Sequence, residues 1–524
     1  MLQVYLRFSK RHAAGYRRAA EVSGILPPFD DRHCAAPHAA GRPRFATFTG
    51  IPLVPDTATS TDFSTLALNP ALKHNLDSLG YHTMTPIQAL ALPPILAGRD
   101  VIGQGRTGSG KTAAFGLGLL QALDVARFEV QALVLCPTRE LADQVAEELR
   151  RLARQLANVK ILTLCGGTPM GPQLNSLAHG AHVVVGTPGR LEAHLRKGTL
   201  DLSALRVLVL DEADRMLDMG FQEALETIVA ATPRSRQTLL FSATYADAVR
   251  PVAERMLRDP VSLSVPETHG RESIHQHFHR VADDAARLPA LMRLLRHYRP
   301  RSSIVFCNTR QETESVAQAL AQAGFSAEAL HGERDQRERD RLLIRFAQGS
   351  LSILVATDVA ARGLDIDALD AVFNYQLARE LESHVHRVGR TGRAGEQGTA
   401  CTLVSEHETY RLERLAELLA EPPEFEPLPA GGDETPFQPA MATLEIDAGK
   451  QQKIRPGDIL GALTRGGDAE GIEGGRVGKI KVTDRAAFVA VEREIARQAL
   501  AVLNAGKLKG RRCRARLVVA GDDR

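Results

Sequence analysis

Short, almost uninterrupted apolar runs alternate with longer amphipathic stretches from about residue 63 onward. Runs of this kind, rich in Val, Ile and Leu, are typical of strands buried on both faces of a parallel sheet. The amphipathic stretch at 140–155 is typical of the helices that connect such strands. The pattern therefore predicts an α/β domain, with strands at 132–136, 160–165, 182–185, 207–210 and 238–241.

This alternation lapses around residues 260–272, where Pro260, Pro266 and Gly270 interrupt it. A second series of apolar runs then begins, and it contains no phosphate-binding loop of its own. We predict two α/β lobes of similar size, at 61–267 and 272–420, joined by a short linker. The second lobe has predicted strands at 303–306, 352–355, 371–373 and 399–404.

The stretch at 421–440 is rich in proline, glycine and acidic residues, and it is predicted to be a second linker. Beyond it, 441–524 forms a smaller unit whose patterns follow the order β-α-β-β-α-β. That order is typical of an RNA-recognition module. The predicted strands are 443–446, 477–482, 486–491 and 512–519, and the predicted helices are 456–463 and 493–503.

Composition sets the size class and the expected compartment. The chain has 524 residues, of which 44% are hydrophobic and 24% charged, as expected for a globular protein of several domains. Its six cysteines form no C-x-x-C pair, no apolar run reaches the ~18 residues of a membrane span, and the N-terminus lacks the apolar core of a secretory signal. We therefore expect a cytoplasmic protein with no membrane segment.

Positive charge is concentrated at the C-terminus. The whole chain has a net charge of only +3, but 441–524 holds 17 Lys and Arg against 11 Asp and Glu. Such a basic unit indicates a nucleic-acid partner.

Residues 1–60 have no clear periodicity, and we predict a low-order N-terminal extension. Its first 20 residues are basic and contain no acid. A targeting peptide, a basic arm for nucleic acid, a disordered tail and a wrongly assigned start site all remain open.

The segment 105–112, Gly-Arg-Thr-Gly-Ser-Gly-Lys-Thr, fits the phosphate-loop pattern G-x-x-x-x-G-K-[ST] between a strand and a helix. Glycines let successive backbone N–H groups turn toward an anion, and the helix N-terminus adds positive charge. Lys111 is predicted to reach the β- and γ-phosphates, and the Thr112 hydroxyl to bind magnesium. The predicted nucleotide-binding residues of the loop are Arg106, Thr107, Gly108, Ser109, Gly110, Lys111 and Thr112.

Asp211-Glu212-Ala213-Asp214 directly follows the apolar run 207–210. A carboxylate at the carboxyl end of a strand beside a phosphate loop is placed to hold Mg²⁺, so Asp211 and Thr112 are the predicted metal ligands. Glu212 is placed to orient or deprotonate an attacking water.

The Asp-Glu-Ala-Asp sequence at 211–214 resembles the signature of the DEAD-box family of ATP-dependent RNA helicases. Other short motifs between residues 63 and 393 resemble that family as well. Met84, Gly105, Arg106 and His384 depart from the usual residues of that family, but none removes a group with a predicted role. The further matching segments are 80–88, 137–141, 166–167, 187–190, 242–244, 305–308, 331–332, 336–339, 356–365 and 386–393.

The resemblance implies two tandem RecA-like lobes that close on ATP and RNA. It implies that Phe63 and Gln88 belong to the adenine site and that Asp365 contacts the ribose. Arg387 and Arg390 would act as arginine fingers from the second lobe, which contribute on the order of 10³–10⁵-fold in rate in other nucleotide hydrolases. The catalytic set implied for ATP and Mg²⁺ is Lys111, Asp211, Glu212, Arg387 and Arg390.

The family's RNA motifs lie on both lobes and contain mainly Thr, Gly and Arg, which donate to phosphate oxygens without reading bases. The residues implied in this grip are Thr138, Arg139, Gly167, Thr187, Arg190 and Thr357.

The C-terminal unit contains the segments 453–463, 478–481 and 506–513. Through these segments it resembles the C-terminal domain of the bacterial DbpA helicases, which in those proteins binds a hairpin of large-subunit ribosomal RNA. Phe488 is the one aromatic residue at the third-strand position where ordinary RNA-recognition modules stack bases. This favours recognition by basic edges and loops. The predicted RNA-binding residues are Lys453, Arg455, Lys479, Lys507, Lys509 and Arg511.

We therefore predict a monomeric, RNA-dependent ATPase that remodels large-subunit ribosomal RNA or pre-ribosomal particles. A general DEAD-box helicase for cold-shock or messenger-RNA work would share the core but lack the tail. A DNA translocase or a non-catalytic RNA-binding scaffold are further alternatives. The intact motif set disfavours the scaffold.

Overall fold

The computed structural model describes residues 61–105, 108–242, 249–265, 274–361, 369–392, 397–419, 423–430, 435–465 and 471–519. The predicted extension at 1–60 therefore lies outside the described residues. Among the described residues, no helix is both long enough and apolar enough to cross a membrane.

The first lobe is built on a parallel sheet with strand order β3-β4-β2-β5-β6-β1-β7 within the described residues. Its strands are β1 (Val101–Gln104), β2 (Ala132–Leu135), β3 (Ile161–Leu164), β4 (Val183–Gly186), β5 (Val207–Asp211), β6 (Gln237–Ser242) and β7 (Val261–Ser264). Its helices are α1 (Pro70–Ser78), α2 (Pro86–Leu96), α3 (Lys111–Gln121), α4 (Arg139–Leu152), α5 (Met170–Leu177), α6 (Pro188–Arg196), α7 (Ala213–Asp218), α8 (Gln222–Ala230) and α9 (Val249–Met256).

Both faces of this sheet are buried, as the continuous apolar runs predict. Val134 and Val209 point to a core shared with α3 and α4, whereas Leu133 and Leu208 point to the core on the other side. The parallel arrangement places every strand's carboxyl end on one edge, where ligands of open α/β sheets bind.

The second lobe has a parallel sheet of order β10-β11-β9-β12-β13-β8 in the described part. Its strands are β8 (Ile274–Val281), β9 (Ser303–Cys307), β10 (Ala327–Leu330), β11 (Ile353–Thr357), β12 (Ala371–Asn374) and β13 (Gly398–Ser405). Its helices are α10 (Arg287–Tyr298), α11 (Arg310–Gln322), α12 (Gln336–Ala347), α13 (Asp358–Ala361), α14 (Leu381–Val388) and α15 (Thr409–Leu418). The predicted strands of both lobes are confirmed to within two residues at each end.

The segment predicted as a linker at 421–440 packs along the second lobe where it is described. Phe425 pairs with Phe278 of β8, and Phe437 is buried edge-on against Phe325, with 5.7 Å between ring centroids. Its proline-rich composition therefore marks an extended strap on the lobe.

The C-terminal domain has the predicted β-α-β-β-α-β order and an antiparallel sheet of order β15-β16-β14-β17. Ala442, Leu444 and Val489 point to a core under the two helices, so the opposite face carries Thr443, Glu445 and Phe488. The elements are β14 (Met441–Ile446), α16 (Pro456–Arg465), β15 (Val477–Val482), β16 (Ala487–Glu492), α17 (Ala496–Ala505) and β17 (Ala515–Leu517).

That opposite face is docked on the turn after α12 of the second lobe. Gln348 donates through Nε2 to the carbonyls of Lys479 (3.1 Å) and Phe488 (3.0 Å), while its Oε1 accepts from Thr443 Oγ1 at 2.8 Å. Thr443 Oγ1 also lies 2.7 Å from Ser350 Oγ. Gln348, Ser350 and Thr443 are buried in this contact, and Phe488 is only 4% exposed. The sheet surface on which other modules stack bases is thus occupied.

Candidate functional site

The phosphate loop ends at Gly110, which has a left-handed φ of 96° and immediately precedes α3. A Cβ at Gly110 would lie 2.5 Å from Gln88 Nε2 and 2.8 Å from Thr85 Oγ1. The position therefore requires glycine for its backbone conformation and for space. Lys111 follows, is buried, and donates through Nζ to the Gly105 carbonyl.

The segment around Gln88 braces the loop from behind. Gln88 Nε2 donates to the Gly110 carbonyl at 3.2 Å, and Thr85 Oγ1 donates to the Ser109 carbonyl at 2.8 Å. Phe63 stacks on Tyr81, with ring centroids 6.5 Å apart. These residues share a cavity of about 540 Å³. The predicted site residues that line it are Phe63, Gln88, Gly108, Gly110, Lys111, Thr112, Asp211, Glu212 and Arg390.

Two carboxylates face Lys111 across this cavity. Asp211 ends β5 and is 3% exposed; burial raises its pKa to about 7, against the attraction of the Lys111 ammonium. Burial lowers the pKa of Lys111, and Asp211 and Glu212 oppose that shift. The charge states of Lys111 and Asp211 therefore depend on each other.

Glu212 is held in an unusual backbone conformation, with φ of 54°. Non-glycine residues in that region are uncommon and cluster at functional sites. Its Oε2 has no hydrogen-bond partner among the described residues, and the cation beside it is Arg215, whose Nε lies 3.5 Å from that oxygen.

The residues present fit a nucleotide with magnesium. The glycine cradle at Gly110 leaves no room for a side chain, and a buried ammonium, a hydroxyl and a carboxylate converge there. Within the described residues, no group of three or more His, Cys, Asp or Glu is placed to hold a metal. Thr112 and Asp211 are the residues that could hold Mg²⁺, which retains waters and substrate phosphates.

The two arginines predicted as fingers occupy different surroundings. Arg390 lines the nucleotide cavity, opposite the phosphate loop. Arg387 is 1% exposed and donates to Asp358 (2.6 and 2.7 Å), Asn308 Oδ1 (2.9 Å) and the Gln376 carbonyl (2.8 Å). The structure therefore places Arg387 beside the cavity, inside the second lobe.

The RNA residues predicted in the two lobes lie at the carboxyl ends of strands or in the first turn of the helix that follows. Thr138 accepts from the Leu141 N–H at the start of α4, Thr187 from the Gly166 N–H, and Thr357 from the Ala360 N–H. Arg190 donates to the Thr168 carbonyl at 2.8 Å, and Gly167 has a left-handed φ of 74°. These contacts shape local turns.

Ion pairs join the lobes beside these turns. Arg339 of α12 bonds to Glu140 of α4 at 3.0 Å, and Arg139 lies 3.6 Å from Asp340. Two of the segments that match the DEAD-box family, 137–141 and 336–339, therefore meet across the cleft.

The predicted basic residues of the C-terminal domain divide into two groups. Lys509 donates to the Lys453 carbonyl at 2.6 Å and pairs with Asp458 at 3.1 Å, and the Arg455 N–H bonds to the same Asp458. The structure thus gathers Lys453, Arg455, Lys507, Lys509 and Arg511 around one loop cluster, called the basic loop below. Lys479 lies on β15, at the sheet edge opposite β17.

Comparison with known proteins agrees with this architecture. Residues 85–252 match the family model DEAD/DEAH box helicase, 286–395 match Helicase conserved C-terminal domain, and 443–517 match DbpA RNA binding domain. The chain is 52% identical over 459 residues to the Escherichia coli ATP-dependent RNA helicase DbpA, covering 87% of this chain and 100% of that one. The chain belongs to the DEAD-box family of ATP-dependent RNA helicases.

Further DEAD-box relatives share the two lobes. The DEAD-box ATP-dependent RNA helicase CshA of Bacillus cereus is 42% identical over 355 residues, which cover 68% of this chain and 67% of that one. The S. cerevisiae Dbp5 structure bound to RNA and ADP BeF3 matches with a TM-score of 0.65 and 30% identity, covering 71% of this chain and 96% of that one.

Three predicted nucleotide residues of this helicase, Arg106, Thr107 and Asp365, lie outside the described residues. Sequence reasoning missed Arg215 and Asp358, which the structure places next to Glu212 and Arg387. The sequence does carry a signal for Arg215, since it lies one helical turn after Glu212. Asp358 lies within the matching segment 356–365, but the sequence does not identify its partner, because Arg387 is distant in the chain.

Proposed function

We propose that this DEAD-box helicase is an RNA-dependent ATPase that locally unwinds or remodels ribosomal RNA during assembly of the large ribosomal subunit. It would act in the cytoplasm as a monomer. One observation supports this most strongly: a single chain joins a nucleotide cavity lined by both lobes to a C-terminal domain that exposes a basic loop. The match of 443–517 to the DbpA RNA binding domain motivates the ribosomal target.

We propose domain limits at 61–267, 272–420, 421–440 and 441–524. The last strand of the first sheet ends at Ser264, the second sheet begins at Ile274, and β14 begins at Met441. These positions support the limits given.

ATP with Mg²⁺, when bound, supplies the reactive phosphoryl group. Lys111 would hold the β- and γ-phosphates, while Thr112 and Asp211 would hold the metal. Glu212 would orient the attacking water, and Arg390 would face the developing negative charge. Arg387 would support this by fixing the wall of the second lobe through Asp358.

The RNA strand would be gripped across both lobes by the turns that contain Thr138, Arg139, Gly167, Thr187, Arg190 and Thr357. Hydroxyls, N–H groups and guanidinium groups contact phosphates without reading sequence. Specificity would then come from the basic loop, which tethers the core beside its target and raises the local RNA concentration.

An ATPase titration tests the proposal. A large-subunit ribosomal RNA hairpin should half-saturate the activity at a concentration at least ~10-fold lower than generic RNA of equal length, a difference of about 1.4 kcal/mol. DNA of the same sequence should not stimulate. Equal responses to both RNAs would favour the general DEAD-box helicase instead.

The Glu212→Gln variant serves as the control for chemistry in that titration. It should lose turnover while its affinities for ATP and RNA stay within about threefold, because the amide keeps the size of the carboxylate but cannot accept a proton from the attacking water. Turnover like that of the wild type would contradict the role proposed for Glu212.

A further inference from the structure

Glu212 is a buried carboxylate with an oxygen that lacks a hydrogen-bond partner among the described residues. It is 5% exposed, its backbone is in the left-handed region, and its Oε2 has no hydrogen-bond partner among the described residues. A carboxylate that must aim at a water needs a group that fixes its orientation. The cation in contact with Oε2 is Arg215, at 3.5 Å.

Arg215 is itself almost inaccessible, with 3% of the residue exposed. It lies on α7, three residues after Glu212, which is the N-cap of that helix, and the contact joins the two side chains within this short segment. Burying an unpaired charge is costly, and the two groups neutralise each other. Their pairing is therefore built into the local fold.

The other side of the Arg215 guanidinium faces the second lobe. It lines a small hollow together with Phe306, Asp358, Ser383, Arg387 and Arg390. Its Nη1 has no hydrogen-bond partner among the described residues. Only a closed pair of lobes supplies this wall, so closure removes water from around the Arg215–Glu212 pair.

We infer that Arg215 is a positioning residue that keeps the Glu212 carboxylate oriented toward the attacking water when the second lobe covers the Arg215–Glu212 pair. The inference rests on the proposed role of Glu212. Lobe closure thereby completes the site in two ways. It brings Arg390 to the nucleotide cavity, and it excludes water from the Arg215–Glu212 pair. Electrostatic contacts strengthen when water is excluded.

The test compares Arg215→Met and Arg215→Lys with Arg255→Met, which breaks an exposed pair between Arg255 on α9 and Glu226 on α8. At saturating RNA, Arg215→Met should lower kcat on the order of 10–100-fold, the scale of a misplaced reacting group. The KM for ATP should stay within about threefold. Arg215→Lys should recover part of kcat, and Arg255→Met should match the wild type.

A second measurement is RNA affinity in the presence of a non-hydrolysable ATP analogue. It should change by less than about threefold in Arg215→Met, because the inferred role concerns orientation of Glu212. A loss of RNA affinity as large as the loss of kcat would overturn the inference and make Arg215 a closing contact. Unchanged kcat in both Arg215 variants would also overturn it.

The Glu212→Gln variant separates this inference from the proposed function. If Glu212→Gln is inactive and Arg215→Met is fully active, the positioning role alone is wrong. If Glu212→Gln keeps turnover, both are wrong. If Arg215→Met fails to fold, Arg215→Lys decides alone: kcat below that of the wild type with unchanged KM and RNA affinity supports the role, and wild-type kcat overturns it.

Discussion

At the scale of single residues, Arg387 and Arg390 show how two neighbours in one motif take different places. Arg390 faces the nucleotide cavity, whereas Arg387 is fully engaged with Asp358, Asn308 and a backbone carbonyl. Five guanidinium donors in a fixed fork suit a buried hub of this kind. Arg387 therefore joins the segments 305–308, 356–361 and 386–390 into one wall.

His384 lies beside that wall and carries no charge there. It stacks on Phe278, with centroids 6.1 Å apart, and bonds to Gln276 Oε1 at 3.2 Å. Burial, followed by the nearby Arg387 cation, lowers the pKa of His384 to about 4, and Asp358 only partly opposes this. The family commonly has an aromatic residue here, which suits an apolar neighbour of an arginine hub.

His384 should make stability sensitive to acid. Between about pH 6.5 and pH 4 His384 is protonated in the unfolded chain but stays neutral in the folded protein. The free energy of unfolding therefore decreases as pH falls through that window, by up to ~1.4 kcal/mol per pH unit. His384→Phe should therefore gain stability relative to the wild type as pH falls from 7 to 5. Urea unfolding at several pH values measures this, with exposed His74→Phe as control. A pH-independent difference would contradict it.

At the scale of elements, the pattern of apolar residues predicts the strands and helices whose positions are determined by burial in the core. The run 207–210 became β5 (Val207–Asp211) because both of its faces meet core. The positions of the phosphate-loop segment before α3 and of Asp211 at the end of β5 were likewise predictable, because each follows a recognisable strand. Residues that act across the fold were not: Gln348, Ser350 and Thr443 are polar and aperiodic, so their meeting is visible only in the structure.

The docking of the C-terminal sheet relies on these polar groups. Thr443 is fully buried, with 0% exposed, and its hydroxyl contacts Gln348 and Ser350 at once. Arg341 adds an ion pair to Glu445 at 3.1 Å. A buried network of this kind is sensitive to any one missing member.

Thr443→Val should loosen this docking. The change keeps the shape but leaves Gln348 Oε1 without its donor, at a cost of about 1–3 kcal/mol. Hydrogen exchange should therefore speed up in β15, β16 and the turn at 348–350, while the first lobe is unaffected. Thr464→Val, whose hydroxyl bonds within its own helix, is the matched control. Equal exchange in both variants would show that the hydroxyl does not secure the interface.

At the scale of the whole molecule, three modules contact one another. The lobes meet through Arg339–Glu140, the C-terminal domain is fixed to the second lobe through Gln348, and Lys481 reaches Glu147 of the first lobe at 3.5 Å. Because the domain's sheet face is occupied by the second lobe, an RNA bound at the proposed basic loop would be held at a set position relative to the cleft. The C-terminal domain and the two helicase lobes are therefore in direct contact.

The basic loop should determine which RNA is preferred. Replacing Lys507, Lys509 and Arg511 with Gln should lower the salt dependence of binding by about one unit of slope per lost phosphate contact. The ATPase should then respond equally to the ribosomal hairpin and to generic RNA, with kcat at saturating RNA unchanged, because neither the nucleotide cavity nor the docking contacts are altered. Titrations at 50 and 200 mM salt measure both effects.

The matched control for the basic loop removes equal charge from exposed arginines of the lobes, Arg234, Arg301 and Arg414. It should weaken binding to both RNAs alike, since long-range attraction is not specific to sequence. If the loop variant keeps its preference for the hairpin, the surface that selects the RNA lies elsewhere in the domain. Lys479 on the opposite sheet edge is then the next residue to replace. If the control loses the preference as fully as the loop variant, net charge rather than the loop selects the RNA.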